Sequence, residues 1–279
     1  MRYWIVSIAV LLGFGIACDE INAPYSVPLE GGADTTEAVV QRVLIEDYTG
    51  FLCGNCVEAS EIAQALKDQY PDRVVVMAIH AGFFATPTPD HPEDYRTPTG
   101  EEWFKFFGID KLGNPNGMVN RREFQGKRVL GPSEWAAATL QVMQQQPVVD
   151  LRLKTRYDKA TREAKIFVEA KYLEAQAADN YLGVYVIEDS VVGFQLDYRR
   201  NPPEIEDYVH QHMLRKAVVG PWGIPVSSGP IAAGSRFRDT LRVTLDTAWR
   251  AEHCSVVAFI HRYPTTYEIL QVAEAKIVE

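Results

Sequence analysis

The chain has 279 residues, 47% of them hydrophobic and 23% charged, with a formal net charge of −9. Those proportions describe a globular protein with length for about two domains. The acidic balance argues against nucleic acid as a partner.

Residues 1–18 read as a signal peptide. Arg2 supplies a positive start, and Trp4–Ile16 is an apolar stretch of about 13 residues, too short to span a bilayer with ease. It ends in Gly15-Ile16-Ala17-Cys18. That junction resembles the lipobox of bacterial lipoproteins, with Gly15 where leucine is usual, and implies a lipid on Cys18. An ordinary cleaved signal peptide is the alternative. Either way the mature protein lies outside the cytoplasm, where disulfides persist. Residues 19–36 carry prolines, a Gly pair and few large apolar side chains, and read as a tether. No later segment is long and apolar enough for a membrane-spanning helix.

The stretch from Val43 to Asp68 organises the rest. Val43, Leu44 and Ile45 form an apolar run that turns through Thr49-Gly50. Cys53-Gly54-Asn55-Cys56 follows, and Val57, Ile62, Ala65 and Leu66 then recur at helical spacing. A Cys-x-x-Cys between a strand and a helix is the arrangement of a thiol-disulfide site. The helix N-terminus carries unpaired N–H groups and partial positive charge, which favour thiolate. Cys53 is therefore expected as the exposed nucleophile and Cys56 as the resolving thiol. Gly54 and Asn55 bring no positive charge, so a very acidic thiolate is not expected. A structural disulfide is the first alternative. A metal half-site is the second, though zinc needs four ligands and no second Cys-x-x-Cys exists.

Arg73–Ile79 is a β-branched run of the kind buried on both faces, and ends at His80, either a cleft residue or a plain strand end. Phe83–Thr99 is a long loop containing His91, which reads as surface. Glu101–Phe107 predicts a short helix. A strand after Pro115 and a second strand within Arg122–Val129 form a hairpin through Gly126. Ser133–Gln146 predicts a helix capped by Ser133. The order is β-α-β-α-β-β-α over residues 37–146.

Beyond the break at Pro147, Val149–Tyr157 alternates with period two. Further strands are expected at Ala164–Leu173, Tyr181–Glu188, Val191–Leu196, Phe237–Leu245, Cys254–His261 and Tyr267–Ile277. They predict a second domain, 148–279, as an all-β sandwich of immunoglobulin-like type. Between them Glu204–Val209 reads as a short helix. His210 and His212 read as loop or partner contacts rather than metal ligands. Cys254 alternates with Val256, Ala258 and Ile260 and is expected as a buried core thiol. No phosphate loop or GxSxG is present, and no cofactor or metal is expected.

The first domain looks like the thioredoxin fold. Together with the lipobox, the phrases Tyr48-Thr49-Gly50, Cys53–Cys56, Ile79-His80, Met118-Val119-Asn120-Arg121 and Tyr208–Leu214 resemble the Omp28-related outer-membrane lipoproteins. The thioredoxin resemblance implies that Pro115 is the cis-proline beside the redox pair. It also implies that Asp47 is the buried acid that takes the resolving thiol's proton, with Glu46 next to it as a rival. Leu52 stands where thioredoxins have tryptophan, and the Gly-Asn dipeptide lacks the usual proline. The family implies an outer-membrane, cell-envelope location, periplasm-facing or surface-exposed. Two functions follow. One is thiol-disulfide exchange with envelope or surface proteins bearing thiols or disulfides, tethered through the lipid on Cys18. The other is surface binding or adhesion, with the thioredoxin fold as a scaffold and its disulfide structural.

Overall fold

The computed structural model describes residues 38–278. The expected signal peptide, Cys18 and the expected tether lie outside the described residues. In chain order the elements are β1 (Val43–Thr49), α1 (Cys56–Gln69), β2 (Val74–His80), α2 (Pro98–Phe106), β3 (Asn116–Val119), α3 (Pro132–Met143), β4 (Val149–Asp158), β5 (Glu163–Tyr172), β6 (Asn180–Glu188), β7 (Val191–Leu196), β8 (Glu204–His210), β9 (Met213–Ala217), β10 (Ile224–Pro225), β11 (Arg236–Thr244), β12 (Cys254–Arg262) and β13 (Ile269–Lys276).

β1 and β2 are buried at every position, β2 as its apolar run Val74–Ile79 requires and β1 even at Glu46 and Asp47, which follow its apolar start. They pair in parallel, Val43 against Val74 through Thr49 against His80, with α1 as the crossover. β3 lies antiparallel on the other side of β1. On one face of these strands, Val43, Ile45, Val74 and Val76 pack against Ala59, Ala63 and Leu66 of α1 and Trp135, Ala138 and Val142 of α3. On the other face, Leu44, Tyr48, Val75, Met77 and Ile79 pack against Trp103 and Phe104 of α2.

That second face does not stop at residue 146. Its core also takes Tyr185, Ile187, Leu214, Val257, Phe259 and Val272 from the C-terminal half. The sheet is likewise continuous, in the order β13-β12-β6-β9-β2-β1-β3, with β10 paired to β6. The seam is narrow. Ala78 pairs with Met213, and the Ala78 N–H donates to the His212 carbonyl at 2.8 Å. The described residues from Val39 onward form one compact unit. Among the C-terminal strands, β4, β5 and β11 make a separate three-stranded sheet. It faces β6, β12 and β13 across a core containing Leu151, Ile166, Val168, Val184, Val186, Val256 and Ala258. The strands expected as a self-contained sandwich are thus divided between a shared sheet and its cover. Mixed α/β architecture with extensive sheet describes the whole.

Several local expectations change. Glu204–His210 is a strand, paired with β7, instead of a helix. The expected helix, Glu204–Val209, has only six residues and is marginal alone, and the hairpin supplies the backbone partners instead. Only Phe124 and Lys127 bridge in the expected second strand of the Gly126 hairpin. α3 starts at Pro132, with Gly131 at the cap in place of Ser133; the Gly131 N–H donates to Glu134 Oε2 at 2.9 Å. α2 starts three residues early because the Thr97 hydroxyl accepts from the Gly100 N–H at 3.0 Å and Pro98 fits the first helical position.

Candidate functional site

Cys53 and Cys56 are joined as a disulfide. β1 ends at Thr49, a turn closes through the Cys53 N–H donating to the Gly50 carbonyl, and Cys56 is the first residue of α1. Gly50 is needed there: a Cβ would lie 2.5 Å from the Phe84 carbonyl group of the following loop. That loop is tied down by the Leu52 N–H donating to the Phe84 carbonyl at 2.9 Å.

The expected exposed nucleophile is buried. Cys53 is 3% exposed and Cys56 1%. The cover is a strap, residues 194–199, running from the end of β7. The Leu196 N–H donates to the Phe51 carbonyl at 2.9 Å, and the Tyr198 N–H to the Gly54 carbonyl at 2.9 Å. The Gln195 side chain donates to the Cys53 carbonyl at 3.1 Å. The Tyr198 ring lies so close over Gly54 that a Cβ there would meet it at 2.3 Å, so the motif's first spacer must be glycine. Arg199 donates to both Glu61 carboxylate oxygens on α1, at 2.7 and 2.9 Å, and to Asp197. Below, Phe51, Tyr95, Phe194 and Met213 form an apolar cluster joined by Leu52 and Leu196. His91, expected at the surface, stacks on Phe194 with ring centroids 3.6 Å apart.

Asn114–Pro115 is a cis bond. The Asn114 amide donates to the Thr49 and Ala81 carbonyls at 2.9 and 3.1 Å, which sets this loop at the end of β1 from which the Cys-Gly-Asn-Cys turn departs.

Strand alternation separates the two rival acids. Glu46 faces the α2 side, where Arg121 grips it with hydrogen bonds of 2.7 and 2.9 Å, both side chains fully buried. The guanidinium also sits 4.3 Å from the Trp103 ring centroid and 5.1 Å from that of Phe259. Burial works against the Arg121 charge, but the Glu46 carboxylate holds its pKa above the ordinary value. Asn120 is bound in as well: its side chain accepts from the Leu44 N–H at 2.6 Å, and its carbonyl accepts from the Ile269 N–H. Asp47 faces α1. Its Oδ2 accepts from the Ser60 hydroxyl at 3.1 Å, one turn beyond Cys56, while Oδ1 has no protein partner. Burial pushes its pKa up to about 7, partly offset by Ser60.

Asp47 lines a cavity between α1 and the β7–β8 hairpin, together with His80, Gln195, Tyr208, His210 and His212. His80 thus lines a cleft, and both C-terminal histidines reach it. Desolvation lowers His80 well below the usual histidine value and His210 to about 4. Sequence reading missed this convergence. The spacing of Tyr208, His210 and His212, two residues apart, was its only local sign. Among the described residues no group of three or more His, Cys, Asp or Glu side chains is placed to hold a metal. Cys254 is a free, fully buried thiol.

Residues 107–279 match the family model described as outer membrane protein Omp28. The chain belongs to the Omp28 family. Members of that family are proteins of the outer membrane, and the cell envelope is the location of this one. Among solved structures, HBP35 of Porphyromonas gingivalis superposes with a TM-score of 0.62 at 18% identity, covering 86% of this chain and 77% of that one. A protein from Agrobacterium tumefaciens gives 0.54 at 12% identity, covering 87% and 96%. A domain of the outer membrane lipoprotein Omp28 from P. gingivalis shares 20% identity over 47% of this chain and 88% of its own, with a TM-score of 0.31, too low to compare folds. No curated protein matches. At these identities the likenesses speak for the fold of this Omp28-family chain and for nothing finer.

Proposed function

We propose that the protein is a thioredoxin-like thiol-disulfide exchange protein of the cell envelope, tethered through a lipid on Cys18, with envelope or surface proteins bearing thiols or disulfides as partners. The thioredoxin-like reading is supported by the β1-α1-β2 crossover, the cis-proline before antiparallel β3, and α1 and α3 on one face. The immunoglobulin-like reading of residues 148–279 is supported only by the packing of β4, β5 and β11 over the shared sheet.

One observation carries the exchange reading: Asp47, buried beneath the first turns of α1, lacks a cation and is poised at about 7. A structural bridge needs no such group, whereas a resolving thiol needs a proton acceptor. In the reduced protein the Cys53 thiolate attacks a partner disulfide, forming a mixed disulfide and releasing one partner thiolate. Cys56 then gives its proton to Asp47 and attacks Cys53 Sγ. The mixed disulfide breaks, the second partner sulfur leaves as thiolate, and the protein ends oxidised with the partner reduced. The reverse sequence oxidises a partner.

A specific observation favours the second reading, a surface binding protein with a structural disulfide: both sulfurs are buried beneath the strap. Titration against glutathione buffers separates the two. An exchange centre equilibrates above about −270 mV, while a structural bridge lies well below −300 mV. In parallel, Cys56→Ser should accumulate mixed disulfides that Cys53→Ser abolishes. A low potential with no trapped partner overturns the exchange reading.

A further inference from the structure

The cavity beside Asp47 measures about 280 Å³, at the small end for a ligand site. Two of its side chains are buried with polar atoms that no protein group meets. Asp47 is 1% exposed with Oδ1 unpartnered, and His80 is 3% exposed with both ring nitrogens unpartnered. A neutral imidazole offers one N–H and one lone pair. Val57, Val76 and Ala78 give the cavity apolar wall, and Tyr208 gives it an aromatic one. Glu61 and Asp68 stand on its α1 side, and no lysine or arginine lines it among the described residues. The two arginines that act on this region are held elsewhere. Arg199 lies in ion pairs with Glu61 and Asp197, and Arg215 pairs with Glu188 at 2.7 Å.

We infer that this cavity is a binding site for a small alkyl ammonium ligand. The charged head meets Asp47 Oδ1, the His80 lone pair accepts a second N–H, the methylenes lie along Val57 and Ala78, and the Tyr208 ring offers its face. A second ammonium, where the ligand has one, meets Asp68 on the exposed side of α1. An anion would face three carboxyl groups without a cation in the wall. A metal ion lacks a set of three ligands among the described residues. Nothing in this site requires the disulfide to exchange, so it stands whether Cys53–Cys56 is catalytic or structural.

The test uses the full chain, purified in detergent with its disulfide intact. Butane-1,4-diamine is the probe and butane-1,4-diol the uncharged control, titrated by calorimetry. The diamine should bind one to one and the diol should not. Asp47→Asn should weaken binding about tenfold or more, the loss of a charge-assisted hydrogen bond, and Asp68→Asn should weaken it less. Carbon NMR of the wild-type carboxyls removes any doubt about folding of the variants. The Asp47 midpoint, about 7 without ligand, should fall by about 1–3 units with saturating diamine, as an opposite charge at close range requires. Equal binding of diamine and diol, an unmoved Asp47 midpoint, or wild-type affinity in Asp47→Asn would each overturn the assignment.

Discussion

The two faces of β1 carry adjacent buried carboxyls, Glu46 and Asp47, in opposite surroundings. On the α2 side Glu46 meets a buried arginine, itself enclosed by Trp103 and Phe259. On the α1 side Asp47 meets one serine hydroxyl and a cavity. A strand turns successive side chains to opposite faces, so one step in sequence separates a neutralised, structural acid from one left with its desolvation cost. The structural acid lies where the two halves of the chain share a core, and the uncompensated one lies beneath the disulfide helix.

The largest expected effect breaks the compensated side. Arg121→Met leaves Glu46 buried without its cation and should cost about 3–5 kcal/mol in urea unfolding at neutral pH. Adding Glu46→Leu to that variant should recover most of the loss, because a buried pair replaced whole by apolar groups is often neutral. Failure of the double variant to recover would mean that the guanidinium's ring contacts, rather than the charge pair, hold this core. Asp47→Asn should act in the opposite direction. The native pKa is raised from 3.8 to about 7, so the native state holds its proton where the unfolded chain has lost it. The group favours folding below about pH 4, and that contribution is lost as pH rises through 7. At pH 8 the neutral asparagine should therefore be the more stable by roughly 2–4 kcal/mol, since one pKa unit is about 1.4 kcal/mol. The gain should shrink to nothing near pH 4. A gain independent of pH would show that burial of the charge is not its source.

How far the sequence discloses this arrangement follows from the range of each interaction. β1, α1 and β2 are written in local patterns, an apolar run, a Cys-x-x-Cys and a helical spacing, and the cis bond at Pro115 lies at the position the thioredoxin resemblance names. Cys254 alternates with apolar neighbours and is buried as that pattern requires. The choice between Glu46 and Asp47 could not be read locally, because the deciding partner, Arg121, comes 75 residues later. The strap is hidden for the same reason: Gln195 meets Cys53 across 142 residues. Glu204–His210 has a composition that suits either state, and its pairing with β7 decides it. The helix before Pro147 already ends at Met143, and the sheet on either side of that break is joined by contacts such as Ala78 with Met213 that leave no periodic trace.

The smallest expected effect concerns the cover over the disulfide. Arg199 lies half-exposed and binds Glu61 on α1, so its ion pairs are screened and should each contribute at most about 1 kcal/mol. Arg199→Ala should therefore leave the unfolding midpoint almost unchanged. Opening of the strap is a local event, governed by the few contacts it breaks rather than by global stability. Losing about 1 kcal/mol from the closed state raises the open fraction roughly fivefold, and the rate at which a phosphine reduces Cys53–Cys56 should rise in proportion. Tyr198→Ala removes the ring above Gly54 while keeping the backbone hydrogen bond to that residue, and should add to the effect. The two variants together should accelerate reduction more than either alone, because both act on one opening step. Should neither change the rate, the barrier lies instead in the apolar cluster of Phe51, Tyr95 and Phe194 beneath the strap. Access to the disulfide would then require that cluster to part, a larger opening that few partners could drive, and the structural reading of the disulfide would gain accordingly.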